Sequence, residues 1–304
     1  MADRTLPAPL PAAPVAQASR RRSEWQRARA TLRQNRLALV SSVILVVVLL
    51  GALFAPVLAP HDPNDVDILA VLRPPSIGSG FPLGTDRLGQ DILSRILYGA
   101  RISIFVSAVA LLISTVLGMV LGLAAGYFGG LVDDVLMTIA DMELAFPSIL
   151  LYIAALAVLG PGLLNIILVL GVARWVPYGR VVRAEVLALK EKEFVLAARA
   201  TGSGDLRIIL RHILPNLLAP VIVVTSFGLS SNIIVESSLS FLGLGVPVSV
   251  PTWGAMLNDG REVLRIAWWP ATMPGLAIML TVLGVNALGD WLRDFLDPRM
   301  LHED

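Results

Sequence analysis

The sequence predicts an all-helical (all-α), polytopic membrane protein with six transmembrane helices. Of its 304 residues, 56% are hydrophobic and only 15% are charged, and the mean hydropathy is +0.75. A soluble domain carries about 25% charged residues, so this composition indicates that the bilayer is the main solvent. A helix needs about 20 apolar residues to cross the hydrocarbon core. We predict spans at 37–58, 102–126, 137–159, 163–179, 216–244 and 266–291.

The six apolar stretches differ in how uniform they are. The first, second and sixth are apolar almost throughout, whereas the third begins among polar residues. The fourth is short and ends in the polar GVARWVPYGR, and the fifth is interrupted by Gly228, Asn232 and Glu236. Together they define a membrane domain that we predict to extend from residue 37 to residue 298.

A tail precedes this domain. Residues 1–19 are rich in alanine and proline without an apolar period, and seven arginines follow between residues 20 and 36. We predict that 1–36 is a disordered, basic tail. A signal peptide is disfavoured, because the next apolar run is long enough to span a bilayer and no clear small-residue cleavage site follows it. A nucleic-acid-binding arm is also disfavoured, since basic residues beside a first span usually set topology. A second short tail is predicted at 299–304.

The distribution of lysine and arginine predicts the orientation. With the amino terminus inside, eight lie in the tail up to Arg36, seven in 180–215 and two after the last span, 17 in all. The two long outside segments hold six, and Arg174 lies near the inner end of the fourth span. Because cytoplasmic loops carry the excess of positive charge, we expect both termini and the 180–215 loop to be cytoplasmic.

The polar loop KEKEFVLAARATGSGDLRIILRHILPN, residues 190–216, separates two apolar runs. We predict one short helix from Glu191 to Thr201, a break at 202–204, and a second helix from Leu206 to Leu214 that is capped by Asp205. Pro215 marks the next boundary, because it lacks an N–H donor. A helix–turn–helix between spans has the shape of a docking element, but the spacing alone favours a solvated connector.

The residues of this loop resemble the "EAA" loop of ABC-type importer permeases. That pattern is E-A-A, three residues, Gly, nine residues, and I-x-L-P. Leu196 and His212 occupy its Glu and Ile positions here. The residues that match at the expected spacing are Ala197, Ala198, Gly202, Leu214 and Pro215. The resemblance implies that 190–215 docks on a cytoplasmic ATPase subunit, and that ATP is bound by that partner rather than by this chain.

The outside segment 59–101, which we call the external segment, contains a second motif. Pro82, Gly84 and Gly89 predict turns, and Asp91 can cap a helix that we expect to lie at the membrane surface before the second span. A structural elbow without contact to solute or partner is the alternative. The sequence of this segment from Gly84 to Arg95 resembles the G-T-D-x-x-G-R-D-x-x-S-R stretch of dipeptide, oligopeptide and nickel importer permeases, with Gln90 in place of the first Arg of that pattern. The matching residues are Gly84, Thr85, Asp86, Gly89, Asp91, Ser94 and Arg95.

The resemblance extends from Arg36 to Pro298, through GYFGG, AFPS and SLSFLGLG. The chain is identified as a member of this family and as the C-type partner of a two-permease pair. The family implies a type I ABC importer permease fold in the cytoplasmic (inner) membrane. It also implies four kinds of partner: a B-type second permease, two ATPase subunits, an extracytoplasmic solute-binding protein and the lipid bilayer. The implied solute is a dipeptide or oligopeptide, with nickel and glutathione left open.

Three acidic residues fall in or near apolar runs: Asp141, Glu143 and Glu236. An ionised group inside a bilayer is costly unless it faces protein or water, so these acids are candidates for the wall of a translocation path or for a subunit interface. Helix packing, with Arg174 as a pairing partner, is the alternative reading.

No catalytic constellation is evident in the sequence. It contains no Gly-rich phosphate loop with Lys and Ser/Thr, and the three histidines lack metal-ligand spacing. We therefore expect a non-enzymatic subunit without a cofactor or a metal. An ion-coupled carrier or a membrane enzyme that works without an ATPase is the alternative. The 190–216 loop discriminates between them, because a self-sufficient carrier needs no docking helix.

Overall fold

The computed structural model describes residues 35–296, except 77, 79 and 248. Most of the predicted tail 1–36 and all of 299–304 lie outside the described residues. Within the described part, regular structure is helical apart from one isolated antiparallel bridge between Thr85 and Asp91. This confirms the predicted all-helical class.

Twelve α-helices follow one another in the described part of the chain, and we number them in chain order. They are α1 Arg36–Leu53, α2 Ala55–Leu58, α3 Ile92–Phe128, α4 Gly130–Leu144, α5 Ser148–Leu159, α6 Leu163–Val172, α7 Val176–Leu189, α8 Glu193–Ala200, α9 Asp205–Ile208, α10 Leu214–Phe241, α11 Trp253–Arg261 and α12 Trp269–Leu296. A 3₁₀ turn, Ile68–Ala70, lies between α2 and α3, and a π-helical turn, Ile209–Ile213, joins α9 to α10.

Five helices or continuous helix pairs are long and apolar enough to cross a membrane. They are Arg36–Leu53, Ile92–Phe128, Leu163–Leu189, Asp205–Phe241 and Trp269–Phe295. The pair α4 and α5 also qualifies when it is counted as one span, although it is bent by 90°. With that pair, the described residues contain the six spans that the sequence predicts.

The third predicted span, 137–159, is not a straight helix. Helix α4 ends at Leu144 and α5 begins at Ser148, after a break that contains Pro147. Proline lacks an N–H donor and disfavours helical geometry at the residue before it, here Phe146, which favours a break at this point. The two halves then pack on different neighbours: Ala140 of α4 lies against Trp175, whereas Leu156 of α5 lies in a separate apolar cluster.

The separate surface helix expected before the second span is also wrong, because α3 continues without a break from Ile92 to Phe128. Its 37 residues correspond to about 55 Å, which exceeds a hydrocarbon core of about 30 Å. The predicted cap is confirmed: the Asp91 carboxylate accepts hydrogen bonds from the backbone N–H groups of Leu93 (3.3 Å) and Ser94 (3.1 Å). Helix α3 is therefore long enough to reach both faces of the membrane.

Helices α3 and α7 approach each other through Gly118, Gly122 and Gly126, which we call the glycine seam. A Cβ atom on Gly122 would lie 2.4 Å from the carbonyl oxygen of Gly179, and one on Gly118 would lie 2.6 Å from that of Trp175. Small residues at every fourth position allow two membrane helices to pack backbone to backbone. The seam was not singled out in the sequence, although its spacing of four was visible there.

Candidate functional site

Helix α8 lies on the surface of the domain with one side anchored. Val195 is fully buried in an apolar cluster that also contains Val186 of α7 and Ile208 of α9, and Ala198 packs partly against that cluster. Ala197, in contrast, is exposed. Of the two alanines in the loop motif, Ala197 is therefore the one that is open to a partner.

The turn after α8 depends on glycine. Gly202 has a φ of +78°, and a Cβ atom there would meet no other atom within 4 Å, so the backbone conformation alone requires glycine. Its N–H donates to the carbonyl of Arg199 (3.0 Å), and the N–H of Ser203 donates to that of Ala198 (3.1 Å). This pair of bonds is the Schellman arrangement that ends a helix.

The second half of the loop differs from the expected short helix. Gly204, not Asp205, is the N-cap residue of α9, and the Asp205 carboxylate accepts a hydrogen bond from the Tyr127 hydroxyl at 2.6 Å. Nor does Pro215 end a helix, because the π-helical turn before it joins α9 to α10. A wider turn there provides room for a residue that has no N–H to donate. The second half of the 190–216 loop and the fifth span thus form one continuous helix, Asp205–Phe241.

The carboxy-terminal end of α3 holds the loop in place. Besides the Tyr127–Asp205 bond, the Arg199 guanidinium lies over the Tyr127 ring, 6.0 Å from its centroid. Lys190 Nζ donates to the carbonyl of Gly126 at 3.3 Å. Since Gly126 belongs to the glycine seam, the loop is attached to the most closely packed part of the domain.

The exposed part of the loop carries large apolar side chains beside its charged ones. Phe194, Leu196, Leu206 and Leu210 are all exposed, and Ala197 lies among them in the sequence. Leu196, which replaces the family's Glu, adds to this apolar surface. A group of exposed large apolar side chains outside the predicted spans is typical of a site that binds another protein.

The family motif of the external segment forms what we call the external brace: Gly84, Thr85, Asp86, Gly89, Asp91, Ser94 and Arg95. All seven residues are buried. They therefore present no side-chain surface to a partner, and the alternative of a structural elbow accounts for them better.

Hydrogen bonds hold the brace together. The Asp86 carboxylate accepts from the N–H of Leu88 (2.8 Å), the N–H of Gln90 (2.9 Å) and Arg95 Nη1 (3.1 Å). The Ser94 hydroxyl donates to the Asp91 carboxylate at 2.5 Å. A carboxylate that accepts several bonds in this way fixes the loop around it.

The brace also connects three helices. Trp269, at the start of α12, donates its indole N–H to the carbonyl of Thr85 at 3.0 Å. Asp259 of α11 lies 3.9 Å from Arg95 and 3.0 Å from Arg87, and Arg87 also pairs with Glu262. Burial raises the pKa of the Asp259 carboxyl above its ordinary value, and the two arginines oppose that rise. The ion pairs link α11 to the start of α3.

Two of the three acids in apolar runs lie on α4, beside α7. The Asp141 side chain is 68% exposed and pairs with Arg180. Glu143 accepts a hydrogen bond from the indole N–H of Trp175 at 3.0 Å. The expected partner Arg174 contacts neither acid and instead donates to the Ser231 hydroxyl at 2.6 Å.

Glu236 is placed differently. It is 1% exposed and accepts hydrogen bonds from the hydroxyls of Ser240 (2.8 Å) and Ser237 (3.4 Å) on its own helix. In this structure the chain itself encloses the carboxyl group. Among the described residues, no cluster of three or more His, Cys, Asp or Glu side chains could hold a metal ion.

Comparison with known proteins places this geometry in a family. Residues 118–302 match the "Binding-protein-dependent transport system inner membrane component", and residues 23–75 match the "N-terminal TM domain of oligopeptide transport permease C". The dipeptide transport system permease protein of Alkalihalophilus pseudofirmus is 44% identical over 278 residues, which cover 91% of each chain. The oligopeptide transport system permease protein of Bacillus subtilis is 38% identical over 91% of this chain and 90% of its own.

The fold also has a solved counterpart. The inward-facing MetNI methionine ABC transporter aligns with a TM-score of 0.53 at 17% identity, covering 66% of this chain and 94% of its own. The helices and these matches define an integral-membrane permease subunit of a transporter. The chain belongs to the family of binding-protein-dependent transport system inner membrane components, and its amino-terminal match groups it with the C-type permeases.

The brace leads to a test with two glycines. Gly89 has a φ of +78°, and its Cβ would lie 1.9 Å from the carbonyl oxygen of Asp67. Gly80 has a φ of +82° but no atom within 4 Å of its Cβ. We expect Gly89→Val to open the brace, because backbone strain and a clash with main chain coincide. Tryptic cleavage of the solubilised protein after Arg87 should become several-fold faster.

The matched control is Gly80→Val, which imposes the same unfavourable φ without the clash and should be cleaved like the parent. Equal cleavage rates for all three proteins would mean that the segment is not held by these contacts.

Proposed function

We propose that this chain is a permease subunit of an ABC importer and forms half of the translocation path for dipeptides or oligopeptides. Separate ATPase subunits would drive it and would bind the ATP. The observation that carries the proposal is α8: a short surface helix that exposes Phe194, Leu196 and Ala197, is anchored by the buried Val195, and ends in the turn at Gly202. The peptide solute is supported by the relatives, since the di/tripeptide transport system permease protein of Pseudomonas aeruginosa is 40% identical over 280 residues.

The mechanism we propose is alternating access. When ATP closes the ATPase pair, the docking loops of the two permeases move together. The described contacts suggest how the movement reaches the spans, because α9 continues into α10 and the loop is bonded to the end of α3. Nucleotide can shift the equilibrium only through different affinities for the two states.

The proposed assembly contains a B-type second permease, two ATPase subunits and an extracytoplasmic solute-binding protein. Asp141 and Glu143 remain our candidates for the path or the permease interface. They lie just before the break at 145–147, which is exposed in the isolated chain. Irregular backbone at membrane depth is tolerated only where protein covers it or where it lines a water-filled cavity. Either environment would be supplied by the second permease.

We propose a location in the cytoplasmic (inner) membrane with both termini in the cytoplasm, as the distribution of positive charge favours. A topology reporter fused after Pro75 should give the signal of an external location, and one fused after Ser203 should give the signal of a cytoplasmic location. The measurement is paired reporter activity, for example alkaline phosphatase and a fluorescent protein, at both positions. Inverted activities at the two sites would refute the orientation.

The docking proposal is tested at Ala197. Ala197→Arg adds bulk and charge to the exposed side of α8, without touching the buried cluster around Val195. We expect roughly tenfold less ATPase subunit to be captured with the permease, since one residue at the centre of an interface can carry that much affinity. Gly202→Val should act similarly, because its φ of +78° is unfavourable for a β-branched residue.

The control is Ala197→Ser, which keeps a small side chain at the same position and should retain capture. Ala197→Arg and Ala197→Ser should keep the parent's thermal stability in detergent. If Ala197→Arg captured the ATPase subunits as the parent does, the loop would be a passive connector, as its spacing alone suggested.

A further inference from the structure

Arg174 lies near the middle of the fourth span. The sequence predicts that this span ends at residue 179, but in the structure it extends to Leu189, so Arg174 is not at its inner end. Arg174 follows Leu163, the end that the proposed orientation places outside, by 11 residues or about 16 Å. This distance is roughly half of a hydrocarbon core of about 30 Å. Ser231, which hydrogen-bonds Arg174, lies at a similar depth, ten residues before the external end of α10.

The same span carries two further arginines, and both have permanent counter-ions. Arg180 pairs with Asp141 and Arg183 pairs with Asp133, and both acids lie on α4 of this chain. Arg174 takes part in none of the ion pairs between described residues. Within this span, the cation nearest the middle of the membrane is therefore the one that the described chain does not neutralise.

Most of the hydrogen-bonding capacity of Arg174 is also unused. Its Nη2 donates to the Ser231 hydroxyl at 2.6 Å, whereas its Nε is buried and has no hydrogen-bond partner among the described residues. Glu143, an acid of α4, accepts from the indole N–H of Trp175 instead. A guanidinium group offers five N–H donors and keeps its charge in proteins. Such a group is costly at this depth unless it faces an anion or water.

The guanidinium is held on a rigid base beside an open surface. A Cβ atom on Gly228 of α10 would lie 2.0 Å from the hydroxyl oxygen of Tyr178, so α7 and α10 are in close contact one turn from Arg174. Arg174 itself is half-buried, and Val172 and Pro177 beside it are exposed. The side chain is thus oriented by its own chain and accessible from outside it.

The chemistry of the site fits a carboxylate. The planar fork of a guanidinium group matches the two oxygens of a carboxylate and binds them through two parallel hydrogen bonds. The Ser231 hydroxyl orients the fork without neutralising it. Where this span has a permanent counter-ion, α4 of the same chain supplies it, which favours an exchangeable anion at Arg174 over a fixed acid of the second permease.

We propose that Arg174 binds the α-carboxylate of the transported peptide near the middle of the membrane. The inference rests on the proposed function of the chain as a peptide permease, and it names the group of the solute that the path recognises. Every peptide with a free carboxy terminus carries this group, so the contact would admit peptides of different side chains. Substrate sites of secondary transporters also lie near the bilayer midplane.

The test measures peptide binding in the absence of the binding protein, whose own recognition of the peptide would mask that of the permease. The sample is the purified assembly of both permeases and the ATPase subunits in lipid nanodiscs, and the probe is radiolabelled dialanine. Unlabelled dialanine and dialanine amide, which lacks the carboxylate, serve as competitors. We expect dialanine to compete at least about tenfold better than the amide with the parent assembly.

Arg174→Gln should weaken dialanine binding roughly tenfold, because it removes the charge and the fork. It should also make dialanine and its amide compete equally well. Damage to the fold would weaken both competitors and keep their ratio, so the ratio distinguishes recognition of the carboxylate from a structural role. Arg174→Lys, which keeps the charge without the fork, should lie between the parent and Gln.

The matched control is Arg183→Gln, which makes the same change of charge in the same span at an arginine that is already paired with Asp133. It should bind dialanine like the parent. Ser231→Ala removes the hydroxyl that orients Arg174 and should weaken dialanine binding several-fold. This variant covers the case in which Arg174→Gln does not assemble.

Three results would overturn the inference. In the first, Arg174→Gln and Ser231→Ala bind dialanine with the affinity of the parent and keep its preference over the amide. In the second, the parent assembly shows no saturable binding. In the third, Arg174→Gln loses the second permease on purification while the assembled fraction binds dialanine normally, which would assign Arg174 to the subunit interface. Failure of the proposed function would be recognised separately, since the parent transporter would then take up peptide without ATP.

Discussion

The close contact between α3 and α7 is the constraint on which the other parts of the structure depend. At the glycine seam a single added Cβ would lie within 3 Å of the backbone of the facing helix at Gly118 and Gly122. Without a hydrophobic driving force between helices in lipid, such close packing supplies much of the association energy. The seam fixes the position of α7, which leads into the docking loop. It also fixes the position of α3, whose two ends carry the contacts to the brace and to the loop.

Helix α3 carries the two candidate sites at opposite ends. At its start, the Asp91 cap and Arg95 belong to the brace that holds α11 and α12; at its end, Gly126 and Tyr127 anchor the docking loop. Because α3 has 37 residues without a break, a displacement of the loop cannot be absorbed by a hinge within it. The proposed coupling of ATP hydrolysis to the external face therefore needs no separate signalling element in this chain.

Hydropathy was sufficient to predict the five candidate spans and the bent pair, and local chemistry predicted the Asp91 cap and the positive φ of Gly202, because each depends on neighbouring residues. The 90° bend after Leu144 was not predictable, since Pro147 marks a break but tertiary packing sets its angle. Asp205 was assigned to the wrong role because its partner, Tyr127, is distant in sequence. Likewise, the burial of Glu236 inside the chain could not be deduced from its apolar neighbours in sequence. The motif of the external brace was visible in the sequence, but the burial of its residues was not.

The central claim is that this membrane domain moves peptide only when ATPase subunits drive it. The most direct measurement is accumulation of a labelled dipeptide in proteoliposomes, with the chain alone and with the second permease, the ATPase subunits and the binding protein added. Each sample is measured with ATP, without ATP and with a proton gradient alone. We predict accumulation only in the complete assembly with ATP. Accumulation by the chain alone under a proton gradient would contradict the account and identify an ion-coupled carrier.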